Sequence, residues 1–182
     1  MTGSIARRYA KAIFSLASDE GALEEIGEEL ASLAAVAADP DVGAALANPL
    51  LVAATREAIA TTLAEQLSVR PITRKFLLLL ADHQRLDQLA GISAHYRRLL
   101  DRALGRVRAK VVSAAPLAAP QRQALVARLE GLTGRTVLTE SQIDPRLLSG
   151  ILVEIEGKVY DGSLRTQLER LAASIAGGRT FL

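Results

Sequence analysis

A chain of 182 residues, 49% of them hydrophobic and 23% charged, is too apolar for intrinsic disorder and long enough for one large domain or two small ones. It contains no cysteine, which excludes disulfides and thiolate metal sites. The net charge of +2 is shared unevenly: residues 1–104 hold 11 Lys/Arg against 13 Asp/Glu and residues 105–182 hold 11 against 7, too modest an asymmetry for a polyanion binder.

Aromatic residues make up only 3%, so the core must be built from Leu, Ala, Val and Ile. The longest strongly apolar run, Phe76 to Ala81, is far short of the roughly 20 residues that span a bilayer. The start, MTGSIARRYAKAIF, has two arginines but no apolar stretch of signal-peptide length. The expectation is a soluble chain without a removable leader.

Ser4 is expected to cap a first helix in which Ile5, Tyr9, Ala12, Ile13 and Leu16 recur at helical spacing. Ala6, Ala10, Phe14 and Ala17 occupy its other faces, so this helix is apolar around much of its circumference and needs more than one partner. A second helix, Ala22 to Ala37, turns Leu23, Ile26, Leu30, Leu33 and Ala37 inward and carries Glu24, Glu25, Glu28 and Glu29 as a solvated face. Asp39-Pro40 starts a short third helix that stops before Asn48-Pro49. The fourth spans roughly Ala53 to Leu67 with Ile59 and Leu63 inside. Pro71 opens the fifth, to Asp82, whose Phe76–Leu80 run is apolar all round. Arg85 opens the sixth, to Leu104, with Leu89, Ile92, Tyr96, Leu99 and Ala103 on one face. Six helices with short polar turns predict an N-terminal bundle over residues 1–104.

At Gly105 the period changes. Val107, Ala109, Val111 and Ser113 alternate with Arg106, Arg108, Lys110 and Val112, a strand that Pro116 ends. A helix from about Pro120 turns Leu125, Leu129 and Leu132 inward, and a short strand follows over Thr136–Glu140. Ile151, Val153 and Ile155 alternate with Leu152, Glu154 and Glu156; Gly157 turns the chain, and Lys158-Val159-Tyr160 completes a hairpin. Asp161 or Ser163 can cap a last helix with Leu164, Leu168, Leu171 and Ile175 on one face. Residues 105–182 therefore read as a small α+β domain, and the whole chain as mainly α.

Catalytic chemistry is hard to place. The only histidines, His83 and His95, have no matched partner, and no carboxylate pair sits in an apolar run. Gly150 and Gly157-Lys158-Val159 are too far apart for a phosphate loop, and Val stands where Ser or Thr must reach magnesium. Arg106, Arg108 and Lys110 form a basic strand face on an expected edge, which keeps a nucleic-acid-binding or adaptor role open as the alternative. Base-stacking aromatics are missing there, since Tyr160 is the one Tyr or Phe in this half before the tail. The features favour an interaction module, because helices apolar on more than one face must meet something beyond their own core.

The stretch Ile151-Leu-Val-Glu-Ile-Glu-Gly-Lys-Val-Tyr-Asp-Gly-Ser-Leu-Arg-Thr-Gln-Leu-Glu-Arg-Leu171 resembles the C-terminal signature of the delta subunit of F-type ATP synthase, called OSCP in mitochondria. Arg8-Tyr9-Ala10-Lys11-Ala12 and Val111-Val-Ser-Ala-Ala-Pro-Leu117 match in the expected order, so the resemblance runs to about Ala176. Ser149-Gly150 departs from the two glycines usual there. The resemblance implies a non-catalytic stator subunit, without cofactor or metal, in proton-driven ATP synthesis (hydrogen ion transport). It implies that the bundle holds N-terminal helices of alpha subunits between its first and fifth helices, with Tyr9, Ala12, Ile13, Phe14, Phe76, Leu77 and Leu80 as candidates. It further implies that residues 105–182 grip the C-terminal region of the b subunits of the peripheral stalk near Asp161, Ser163, Leu164, Arg165, Leu168 and Leu171. No nucleic acid is implied, and the membrane is met only through the complex, on the cytoplasmic face of a bacterial inner membrane.

Overall fold

The computed structural model describes residues 2–161 apart from Pro49, Arg146, Leu148, Ser149 and Glu156. The final helix expected from Leu164 onward lies outside the described residues. Helix α1 (Thr2–Asp19) begins two residues before Ser4, so Ser4 lies inside the first turn and does not cap it. Its buried face is Ala6, Ala10, Ile13 and Ala17, not the stripe that ends at Leu16. The reason is crowding: a helix enclosed by neighbours packs closest along its smallest side chains. A Cβ added to Gly91 would lie 3.1 Å from the Ala6 methyl, which shows how near that neighbour comes.

Helix α2 (Leu23–Ala37) buries Ile26, Leu30 and Leu33 as its spacing predicts. Glu24, Glu25 and Glu28 are solvated, but Glu29 is not part of that face. Its carboxylate accepts hydrogen bonds from the Arg70 amide at 3.2 Å and from the Thr73 hydroxyl. It thereby caps α5 (Pro71–Asp82), whose own N-cap residue, Arg70, supplies no side-chain acceptor. Asp39 caps α3 (Pro40–Ala47) directly, accepting from the amides of Asp41 and Val42 at 3.0 and 3.2 Å. Helix α4 (Ala53–Gln66) buries Ala60, Leu63 and Ala64. Between α5 and α6 (Leu89–Ala103) the chain makes a 3-10 turn over Leu86–Gln88, so α6 starts four residues later than Arg85. Leu89, Ile92 and Tyr96 are fully buried.

Two residues here adopt positive φ without being glycine: Ser68 at 49° and Gln84 at 55°, just past the ends of α4 and α5. A Cβ makes this left-handed conformation costly, and glycine removes the clash. Ser68→Gly and Gln84→Gly should each stabilise the chain by about 0.5–1 kcal/mol, read as a rise in thermal midpoint.

The described residues divide into two compact units between Leu100 and Asp101. In the second, β1 (Arg106–Ser113), β2 (Thr136–Ile143), β3 (Ile151–Ile155) and β4 (Lys158–Asp161) form a mixed sheet in the order β2-β1-β3-β4. Strands β1 and β2 are parallel, and α7 (Ala119–Thr133) supplies the crossover that parallel pairing needs. β3 pairs antiparallel with β1 and with β4, the hairpin turning at Gly157 with φ +77°. Val107, Ala109, Val111, Val137, Val153 and Ile155 bury one face against Leu129 of α7. Three expectations change. β2 runs three residues past Glu140. Leu132 is 66% exposed, because the helix turns Leu125, Val126 and Leu129 to the sheet and Leu132 falls to one side. β1 is an interior strand, not an edge.

Candidate functional site

Helix α1 carries two apolar stripes about 100° apart around its axis. Ala6, Ala10, Ile13 and Ala17 face the core; Ile5, Tyr9, Ala12 and Leu16, spaced four, three and four, do not. Ile5 and Tyr9 are half-buried, Ala12 is exposed, and Leu16 is 50% exposed. On α5 the residues Ile72, Phe76 and Leu79 form a matching flank, with Leu79 46% exposed. The two flanks meet where the Tyr9 and Phe76 rings pack edge to face, 6.3 Å between centroids. The Arg8 guanidinium lies 5.8 Å from the Tyr9 ring centroid, on the side of the seam that α1 lines.

Burial sorts the sequence candidates for this seam. Ile13, Leu77 and Leu80 have no exposed surface, and Phe76 has almost none. Phe14 is half-buried, with its ring 5.5 Å from that of Tyr96. Tyr9 and Ala12 remain accessible. Leu16, Leu79 and Ile5 were not singled out as seam residues, although the i, i+4, i+7 pattern on α1 contained the signal. Ala6 and Ala10 bring α1 close to its own neighbours and are not open to a partner. A second apolar groove of about 560 Å³ lies between α3 and α4, lined by Val42, Leu46, Ile59 and Leu63 among others.

In the second unit, Leu125, Leu129 and Leu132 on α7 and Ile151, Val153 and Tyr160 on the hairpin line a groove of about 510 Å³. Asp161, the last residue of β4, stands at its rim. Of the stalk candidates, Ser163, Leu164, Arg165, Leu168 and Leu171 lie outside the described residues.

The basic strand face does not survive as a polyanion surface. Arg108 donates to Asp101 at 2.6 Å and 3.2 Å and to Glu140 at 3.2 Å. The hydrogen bond to Asp101 holds its guanidinium above even the usual arginine range. Lys110 stands in register between Glu140 on β2 and Glu154 on β3, so carboxylates flank it on both sides. Asp101 is nearly buried, so removing its partner leaves a poorly solvated carboxylate. Arg108→Ala should cost about 1–2 kcal/mol, discounted for the partial exposure of Arg108, and lower the thermal midpoint by about 3–6 °C.

Among the described residues no three His, Asp or Glu side chains converge as a metal site. His83 sits at the end of α5, its ring nitrogen 2.9 Å from the Leu79 carbonyl. Burial lowers the pKa of His95, with the charges of Arg98 and Arg7 adding, so it is predominantly neutral at pH 7. No described helix is long and apolar enough to cross a membrane by itself.

The family model described as ATP synthase delta (OSCP) subunit matches residues 5–175. A protein named ATP synthase subunit delta from Anaeromyxobacter sp. (strain Fw109-5) is 47% identical over 170 residues, covering 93% of this chain and 95% of that one. The protein of the same name from Solidesulfovibrio magneticus is 38% identical over 182 residues, covering 98% of this chain and 100% of that one. A chain in the cryo-EM structure of the Toxoplasma gondii mitochondrial ATP synthase hexamer shares the fold, with a TM-score of 0.66 at 19% identity over 94% of this chain and 97% of that chain. This chain therefore belongs to the ATP synthase delta (OSCP) subunit family and is a stator component of the ATP synthase assembly.

Proposed function

We propose that this chain is the non-catalytic joint between the catalytic head and the peripheral stalk. Residues 1–104 hold N-terminal helices of the alpha subunits, and residues 105–182 hold the C-terminal region of the b subunits. The joint keeps the head from turning with the rotor, and the chain reaches the cytoplasmic face of a bacterial inner membrane only through the complex. The observation that carries this reading is the second apolar stripe of α1, left accessible beside the matching flank of α5. An amphipathic helix laid in that seam would bury Tyr9, Leu16 and Leu79 by helix-in-groove recognition. A peptide matching the N-terminus of the alpha subunit should be captured specifically by the full chain. Absence of capture by a folded chain at micromolar concentrations would sink the proposal.

A further inference from the structure

The two helices that meet where Gly91 approaches Ala6 carry a concentration of positive charge. Residues 2–18 of α1 and 89–100 of α6 hold five Lys/Arg and no Asp or Glu, whereas the rest of residues 1–100 holds five Lys/Arg and twelve Asp/Glu. Acid on the other elements hides this segregation in the net charge. Arg7 and Lys11, one turn apart on α1, share a face about 150° round the helix from the Tyr9–Leu16 stripe, so a partner in the α1–α5 seam does not need them. Burial first, and then the charges of Arg98 on α6 and Arg7 on α1, disfavour a proton on His95, so both arginines act on one point of the α1–α6 junction. Arg7, Lys11 and Arg98 are exposed, and among the described residues none of them is in an ion pair. Like charges gathered without counter-ions repel one another, and an acidic partner removes that repulsion.

We propose that the face formed by Arg7, Lys11 and Arg98 is an electrostatic contact for an acidic helix of another subunit of the ATP synthase assembly. Carboxylates at i and i+4 on a helix repeat at about 6 Å, the same step that separates Arg7 from Lys11. Arg98 lies across the junction of two packed helices, whose axes are on the order of 8–10 Å apart, and so meets the partner's other flank. A bilayer fits less well: lipid-binding clusters use about four to eight Lys/Arg, and neither helix shows an exposed large apolar side chain on this face. A nucleic acid fits less well too, because the Phe14 ring packs against Tyr96 and is not presented for base stacking. Exposed ion pairs are individually weak, so the contact steers and registers the chain while the apolar surfaces hold it. It rests on membership of the assembly and not on which helices the α1–α5 seam takes.

Carbodiimide joins an amine to a carboxylate only where the two touch, and Lys11 supplies the amine on this face. Applied to the intact assembly, it should join Lys11 to an Asp or Glu on a helix of another subunit, identified by peptide mass. The full chain is also rebound to ATP synthase from which it has been removed, with thermal melting as the check that each variant folds. At low salt Arg7→Glu combined with Arg98→Glu should rebind at least about tenfold more slowly than the parent, and the gap should close to about twofold near 0.5 M salt. Arg7→Lys combined with Arg98→Lys keeps the charge and should rebind within about twofold of the parent. Equal rates for the parent and the Glu variant at low salt, or no cross-link from Lys11 to another subunit, would overturn the proposal. So would binding of phosphatidylglycerol vesicles by the parent and not by the Glu variant in the absence of that cross-link, since the face would then belong to the membrane. A folded chain that does not capture the alpha peptide would count against the proposed joint and leave the cross-link and rebinding results standing.

Discussion

Leu16→Asp and Leu79→Asp should leave the bundle folded and weaken at least tenfold, about 1.4 kcal/mol, its binding of an N-terminal peptide from the alpha subunit. Ile13→Asp, Leu77→Asp and Leu80→Asp should instead prevent folding. The two sets differ only in where the tertiary structure puts them. Leu16 and Leu79 are about half exposed, so a carboxylate there stays hydrated and harms only a partner that must cover it. Ile13, Leu77 and Leu80 have no accessible surface, so a carboxylate is stranded without a counter-ion. That penalty is several kcal/mol, comparable with the roughly 5–15 kcal/mol that holds a whole domain together. Thermal melting separates the sets, and titration of the folded variants measures the peptide. If Leu16→Asp and Leu79→Asp bind like the parent while Ile59→Asp does not, the peptide lies in the groove between α3 and α4.

Replacing Tyr96 should cost the first unit about 3–5 kcal/mol as Tyr96→Ala and about 1 kcal/mol as Tyr96→Phe. Tyr96 is fully buried, its hydroxyl donates to the Leu23 carbonyl at 2.9 Å, and its ring packs on Phe14. Truncation to Ala leaves a cavity beside Gly27, where a Cβ would lie only 3.3 Å from the tyrosine ring. Loss of the hydroxyl alone leaves one carbonyl without its donor. The same burial, with Glu25 and Glu29 adding, pushes the Tyr96 pKa up from 10.0 to about 12. A folded-state pKa above the unfolded one means the neutral phenol favours folding. That contribution is complete below about pH 10 and is lost as pH rises toward 12. Alkaline melting curves should show the loss in the parent and a flatter profile in Tyr96→Phe.

Much of this was legible from residue order because local periodicity is a local property. The alternation Val107, Ala109, Val111, Ser113 placed β1 to the residue and named its buried face. The spacing of Ile26, Leu30 and Leu33 named the buried face of α2, whose start it placed one residue early. Asp39-Pro40 marked a helix start because cap and first-turn chemistry is decided within four residues. The Asp161-Gly162-Ser163-Leu164-Arg165 core carried the family resemblance by residue identity alone.

Tertiary structure decided which of two apolar stripes on one helix faces inward. Periodicity shows that Ile5, Tyr9, Ala12 and Leu16 share a face, and equally that Ala6, Ala10, Ile13 and Ala17 do. In the folded chain the stripe with the alanines faces the core, with Gly91 close against Ala6, and Leu16 is left outside. Glu29 is an acidic helix residue like Glu25 and Glu28 until Arg70 and Thr73, more than forty positions on, turn it into the cap of α5. Arg106, Arg108 and Lys110 read as a basic edge because strand order is not written in any one strand. With β2 on one side of β1 and β3 on the other, Glu140 and Glu154 come to flank Lys110, and Asp101 and Glu140 hold Arg108. A charge acts through what lies within a few ångströms of it, and those neighbours come from distant parts of the chain that only folding brings together.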